Sequence, residues 1–187
     1  TSSGLSAGVR SGRNWRWSTI PTPGLDVLSS FTKAPDGTLL LTGNGPAVMR
    51  LDPRTGQWTR YGQIPGGAYD ALMDKMGRVW AAGDRGLFRS SGASRELDRL
   101  DHTIPPTGPE QVRITFTGLA LGRGADELWV STYNGLLHYM DGRWKWLRTS
   151  DGLRSKAVIA PSVDPEGRVW VGYRDVGGAS RIQYSNG

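Results

Sequence analysis

Cysteine is absent from this 187-residue chain, which removes disulfides, thiolate metal ligands and cysteine nucleophiles together. A chain without cysteine fits an oxidising or a reducing compartment equally. Histidine occurs only at His102 and His138, and no His-x-x-x-His pair, Gly-x-Ser-x-Gly elbow or phosphate loop is present. No apolar run approaches the roughly 20 residues that cross a bilayer, so this stretch of sequence reads as soluble. No secretory leader is evident, and the Thr1-Ser2-Ser3-Gly4 start reads as a processed or trimmed end. Acidic side chains are in deficit: 17 against 23 Lys and Arg give a net charge of +6. That excess describes either a solvated basic surface or a surface for an acidic partner.

Three copies of one phrase stand out against these absences. They are Gly77-Arg-Val-Trp80-Ala-Ala-Gly83, Asp126-Glu-Leu-Trp129-Val-Ser-Thr132 and Gly167-Arg-Val-Trp170-Val-Gly172, with a weaker copy at Gly37-Thr-Leu-Leu40-Leu-Thr-Gly43. Leu40, Trp80, Trp129 and Trp170 lie 40, 49 and 41 residues apart, a period that belongs to repeat architectures. The third copy resolves into Ile114–Leu121, Leu128–Thr132, Gly135–Tyr139 and Trp144–Leu147, with Asp141-Gly142 as a hairpin turn that requires positive φ. Four antiparallel strands per ~40 residues make one propeller blade. The chain is expected to be all-β: a β-propeller of four blade-like, four-stranded sheets over residues 27–61, 69–100, 112–147 and 157–184.

The second strands are apolar on consecutive residues (Val-Trp-Ala, Leu-Trp-Val, Val-Trp-Val). Sheets covered on both faces read this way, so Trp80, Trp129 and Trp170 are expected to be buried between blades. Asp36, Asp74 and Asp164 sit one to three residues before a hairpin glycine, where a carboxylate accepts backbone N–H groups instead of binding calcium. The fourth copy stops after its third strand, Arg181–Tyr184, while Gly12-Arg-Asn-Trp15-Arg-Trp17 looks like a fourth strand without a blade. Residues 13–18 are therefore expected to pair with the Arg181–Tyr184 strand and close the ring. The connection Asp101–Gln111, with Pro105, Pro106 and Pro109, is the longest insertion and the candidate for a mobile or partner-contacting loop.

The trace Gly-x-Leu/Val-Trp-Val, followed by a glycine turn and Gly-Leu-x-x-Tyr, resembles the two-component regulator propeller repeat. The likeness spans residues 27 to 184; it is loose in the first copy and interrupted in the fourth by Arg174–Gly178. The resemblance implies an extracytoplasmic sensor region of a bacterial hybrid histidine kinase or diguanylate cyclase, placed in the periplasm or outside the cell. It also implies a downstream signalling domain. Members of that family close with about seven blades; four blades leave open a small ring, a portion of a longer sensor, or two chains completing one ring as a homodimer.

In a four-stranded meander the second-to-third-strand loops and the blade-to-blade connections emerge on one face. The loops bring Asn44, Asp84, Arg85, Tyr133, Asn134, Tyr173, Arg174 and Asp175 to that mouth, and the connections bring Tyr69, Arg113, Arg154 and Lys156. Aromatic, amide and guanidinium groups around one rim suit an anionic saccharide or another polyanion, because guanidinium pairs with carboxylates and sulfates through two parallel hydrogen bonds. Asn134 and Asp84 alternatively satisfy turn backbones. Nucleic acid is not expected, since the arginines are scattered over all repeats. No cofactor or metal is expected. Catalysis is not expected either: a two-carboxylate glycosidase built on Asp84 and Asp175 is the residual enzyme reading, but their neighbouring arginines favour ion pairing. His138 lies in a third strand as a packing or outer-face residue. An assembly scaffold with a basic face is the alternative to ligand sensing.

Overall fold

A computed structural model describes residues 4–25, 27–91, 94–106 and 114–182. Strands β1 (Gly4–Ser11) and β2 (Asn14–Pro21) form a hairpin. The first blade is β3 (Leu28–Lys33), β4 (Leu39–Gly43), β5 (Val48–Asp52) and β6 (Gln57–Tyr61); the second is β7 (Asp70–Met73), β8 (Val79–Gly83), β9 (Gly86–Ser90) and β10 (Leu97–Arg99). The third is β11 (Phe116–Leu121), β12 (Glu127–Thr132), β13 (Gly135–Met140) and β14 (Arg143–Leu147). The fourth shows β15 (Val158–Val163), β16 (Val169–Tyr173) and β17 (Ala179–Ile182). Every blade is an antiparallel meander, so the four-blade β-propeller arrangement read from the repeats is the fold of the chain.

Three apolar layers lie between successive blades. Leu40, Val48 and Tyr61 meet Ala71, Val79, Ala81 and Phe88. Leu72, Trp80 and Leu87 meet Phe116, Leu128, Val130, Leu137 and Tyr139. Trp129, Leu136 and Leu147 meet Val158, Val169, Val171 and Tyr173. Each repeat therefore sends its Leu40-type or Trp-type residue toward the blade that follows. Trp80 and Trp129 are each 1 % exposed, as the repeat register requires. Trp170 departs from it at 40 % exposed. Its side chain points the same way, but no described sheet lies beyond the fourth blade to cover it.

The turns explain the repeat phrase. Asp74 Oδ1 accepts the N–H groups of Met76 and Arg78, while Oδ2 takes Arg78 Nε and the Trp80 indole N–H. Asp164 repeats the pattern with Arg168 and Trp170. The turn role of these carboxylates therefore holds, and Asp36 joins them by accepting from Thr38. One carboxylate satisfies an arginine, an indole and the turn, which lets a tryptophan enter an apolar layer without an orphaned donor. Asp141-Gly142 takes positive φ at both positions, 49° and 80°, as expected of a two-residue hairpin.

The ring-closing expectation fails. Residues 13–18 do not pair with β17; they belong to β2, which pairs with β1 along its whole length from Gly4↔Pro21 to Ser11↔Asn14. Gly12, at φ 63°, makes the tight turn that lets the chain fold back on its immediate neighbour. Closing a local hairpin costs far less loop entropy than reaching across the molecule. Tyr184, named for the partner strand, lies outside the described residues. The hairpin covers the first blade from its other side, with Leu5 and Ile20 against Leu25, Leu41, Ala47, Met49 and Leu51.

The described part of the connection after the second blade packs on the third blade. Asp101–Thr103 makes a single 3-10 turn. Thr103 Oγ1 and the Pro105 carbonyl accept the indole N–H groups of Trp144 and Trp146.

His138 is a packing residue. Its ring stacks on Trp129 at 3.9 Å between centroids, and Nε2 sits 2.9 Å from Glu127 Oε1. Burial pushes the imidazole below its usual 6.5, and the Glu127 carboxylate only partly offsets this. Burial pushes Glu127 up, but the Gly124 N–H and His138 outweigh it and hold the carboxyl low. For a histidine whose folded pKa is depressed, the unfolded chain takes up the proton first, so stability is lost as pH falls through 6.5 toward the folded value. The denaturant midpoint is expected to fall between pH 7.5 and pH 5.5, with a smaller fall in His138→Gln. Equal falls in both proteins would take His138 out of the acid response.

Candidate functional site

Beneath the mouth, Asp70 at the start of β7 links three blades. Its carboxylate accepts from Ser30 Oγ at 2.6 Å on the first blade and from the Leu119 N–H at 2.9 Å on the third. Burial raises its pKa, and those donors lower it in part. Sequence reasoning passed over Asp70; the signal was a carboxylate opening an inner strand directly before Ala71-Leu72-Met73, where a lone charge needs convergent donors.

Above it, two pairs sit side by side. Tyr69 donates its hydroxyl to Asp84 Oδ2 at 2.6 Å. Arg174 Nη1 donates to Tyr133 Oη at 2.5 Å, with the guanidinium carbon 4.9 Å from that ring's centroid. The Asp84 bond raises the Tyr69 pKa, with burial adding to it; Tyr133 and Arg174 are close enough to act on the same phenol. Tyr69 is thus a protonated donor at neutral pH. Four of the expected residues, from blades two, three and four, share one patch.

The remaining expected residues divide by what already holds them. The Arg85 side chain crosses Gly66, and Arg154 and Lys156 are exposed. Arg154 gives its backbone N–H to Tyr173 Oη at 3.1 Å, and Tyr173 donates in turn to Ser180. Tyr173 is 7 % exposed, so it is a packing residue and not a rim group. Asp175 accepts from Ser155. Asp84 and Asp175 each accept a side-chain hydroxyl. The described ion pairs of the turn carboxylates, Asp36–Arg50, Asp74–Arg78 and Asp164–Arg168, lie in the hairpins at the other ends of the inner strands. The Asn134 backbone N–H donates to Thr132 Oγ1, and Asn44 Oδ1 accepts the Val27 N–H across the first blade. Arg113 lies outside the described residues. Among the described residues no cluster of three or more His, Asp or Glu side chains is placed to hold a metal.

Glycines set the rim's spacing. A Cβ on Gly67 would lie 2.7 Å from the Gly43 carbonyl oxygen, and one on Gly83 would lie 2.6 Å from that of Gly67. The first two blades thus touch backbone to backbone at the mouth.

No family model matches the chain, and no curated protein matches it. Solved structures do. The extracellular domain of a hybrid two-component system from B. thetaiotaomicron superimposes with a TM-score of 0.71 at 15 % identity, over 99 % of this chain and 27 % of that one. The β-propeller domain of Cps50 (Swd1) from Myceliophteria thermophila gives 0.68 at 11 %, over 98 % and 65 %. A catalytically inactive virginiamycin B lyase from Staphylococcus aureus carrying a His-to-Ala replacement, with quinupristin, gives 0.60 at 13 %, over 93 % and 61 %. The chain spans about a quarter of the first of these proteins. At such identities the likeness is one of fold: this is a propeller-type domain.

Proposed function

We propose that the chain is a non-catalytic, ligand-sensing propeller module of a bacterial signalling receptor, working in the periplasm or outside the cell. In this reading it binds an anionic saccharide or another polyanion at its mouth. The observation behind the proposal is the patch in which Tyr133–Arg174 and Tyr69–Asp84 meet; Arg85, Arg154 and Lys156 are exposed on loops and connections that a meander sends to that end. Guanidinium over a phenol ring gives a flat cationic surface for a sulfate or carboxylate, and the Tyr69 and Tyr133 hydroxyls add direction. Ligand bridging loops of different blades would favour one relative blade position, which a downstream signalling domain reads. The likeness to the extracellular domain of a two-component system supports the class of protein. The location of His138 argues against chemistry: the lyase variant lacking one histidine is inactive, whereas here His138 is walled in against Trp129 and His102 sits on the connection between blades.

Calorimetric titration with sulfated and neutral oligosaccharides at two salt concentrations tests the reading. Sulfated sugar is expected to bind and to weaken as salt screens the site. Replacing Arg85 and Arg174 together with Ala is expected to cost at least about tenfold, or ~1.4 kcal/mol. An equal response to both sugars, or full binding by the double variant, would remove the site.

A further inference from the structure

The first blade departs from the repeat phrase at two positions on one face, and both changes remove bulk. Where the second and fourth blades have Arg78-x-Trp80 and Arg168-x-Trp170, the first has Thr38-x-Leu40. In the second blade Trp80 gives its indole N–H to Asp74, Arg89 lies 5.0 Å from the centre of its ring, and Arg78 reaches on to Asp126 of the third blade. Leu40 offers no donor to Asp36 and no ring to Arg50, its partner on the neighbouring strand. Arg50 is engaged by the turn instead. Its Nη2 pairs with Asp36, Nε donates to Thr38 Oγ1 at 2.9 Å, and Nη1 donates to Tyr61 Oη at 3.3 Å.

Beside that pair lies a cavity of about 310 Å³, between the two hairpin turns at the end of the blade away from the mouth. Asp36, Thr38 and Arg50 line one part of it, and Asp52, Gln57 and Thr59 another. Side chains alternate along a strand, so Arg50, Asp52, Gln57 and Thr59 share the face that carries Leu40, Val48 and Tyr61 toward the second blade. The cavity therefore opens on a layer bounded by two sheets of this chain, away from both ends of the blade series.

The charges in its wall cancel. Asp36 pairs with Arg50, and Asp52 with Arg54, which also lines the cavity. A bound anion would meet two carboxylates, and a bound cation two guanidinium groups. The lining carries no apolar side chain, so an apolar ligand would leave these groups without partners. The Gln57 and Thr59 side chains make no hydrogen bond among the described residues and are the groups left for a ligand. Amide and hydroxyl both donate and accept. Sugar hydroxyls do the same, each giving its proton to Asp52 or the Gln57 carbonyl while accepting from Thr59, the Gln57 amide or Arg50. The volume stands at the lower end of the range for small-molecule sites, ~300–1,000 Å³, which suits one sugar ring.

We propose that this cavity is a second ligand site, one that takes a neutral monosaccharide. It shares no residue with the mouth and asks for a ligand without charge, so it stands or falls separately from the polyanion reading.

Two-dimensional NMR of backbone amides, titrated with D-glucose, D-galactose and D-mannose, tests it, with inorganic sulfate as the anionic control. At least one hexose is expected to give saturable shifts at the amides of Thr38 and of Asp52 to Thr59, and sulfate none there. Gln57→Leu and Thr59→Val remove the two available groups and leave both ion pairs in place. Each is expected to weaken binding about three- to tenfold, the value of one neutral hydrogen bond, and the double variant at least about tenfold. The urea midpoint serves as the control for folding. The Arg85→Ala/Arg174→Ala variant is expected to keep the hexose shifts, so that loss of sulfated-sugar binding and loss of hexose binding report on different sites. Binding of no hexose, shifts confined to the rim loops, sulfate shifts at the same amides, or full affinity in the Gln57→Leu/Thr59→Val variant would each overturn the proposal.

Discussion

Trp80→Ala is expected to lower the free energy of unfolding by about 3–5 kcal/mol, the range for removing a large aromatic side chain from a packed core. Trp80 is 1 % exposed and touches Tyr139 edge-on at 5.3 Å, so its loss opens a void between the second and third sheets. It also removes one of the two donors to Asp74 Oδ2, leaving Arg78 Nε. The same replacement at Trp170 is expected to cost about 1 kcal/mol when measured on dilute monomer, because that ring is 40 % exposed. Equilibrium denaturation of both variants makes the comparison. Equal costs would mean that burial between blades is not what gives the repeated tryptophan its value.

Asp74→Ala is expected to be comparably severe, about 3–5 kcal/mol, the range for removing one partner of a buried ion pair. The Asp74 side chain is 4 % exposed and that of Arg78 14 %. Arg78 would keep its link to Asp126 of the third blade but lose the more deeply buried carboxylate, while two turn N–H groups and an indole N–H lose their acceptor. Asp164→Ala frees the Arg168 N–H, Arg168 Nε and the Trp170 indole N–H in the fourth blade, where the half-exposed arginine and indole reach water, and should be far milder. Denaturant titration of the two variants side by side reads the difference. A mild Asp74→Ala would make the aspartate a spectator of a turn that glycine alone specifies.

Much of this architecture is legible in the sequence for a simple reason. A sheet buried on both faces has little choice of side chain, so the Val-Trp-Ala and Leu-Trp-Val runs and their flanking glycines mark strand, turn and burial at once. What the period does not carry is neighbourhood. The phrase around Trp170 is as strong as that around Trp80, yet exposure depends on what lies next to the blade, which no local pattern encodes. The strand at Trp15 was recognisable as an outer strand, but its partner was set by Gly12 and loop length, and Gly4–Ser11 carries too few branched or aromatic residues to declare itself a strand. At the mouth, topology alone placed Tyr69, Asp84, Tyr133 and Arg174 on one rim. That Tyr173 turns inward to Ser180, and that Asp175 answers to Ser155, depends on rotamers and could not be read from spacing.

The glycine contacts at the rim divide the mouth mechanically. Gly67 is wedged between Gly43 and Gly83, so any side chain there meets carbonyl oxygen and the first two blades act as one stiff plate. At the positions matching Gly43 and Gly83 the third blade has Thr132 and the fourth has Tyr173. Spacing on that side is set by side chains, which can repack. Tyr69 and Asp84 ride on the plate; Tyr133 and Arg174 ride on the adjustable half. In the proposed sensing role, a ligand gripped by both pairs would meet a fixed jaw and a sprung one, and its size would set how far the sprung jaw stands open.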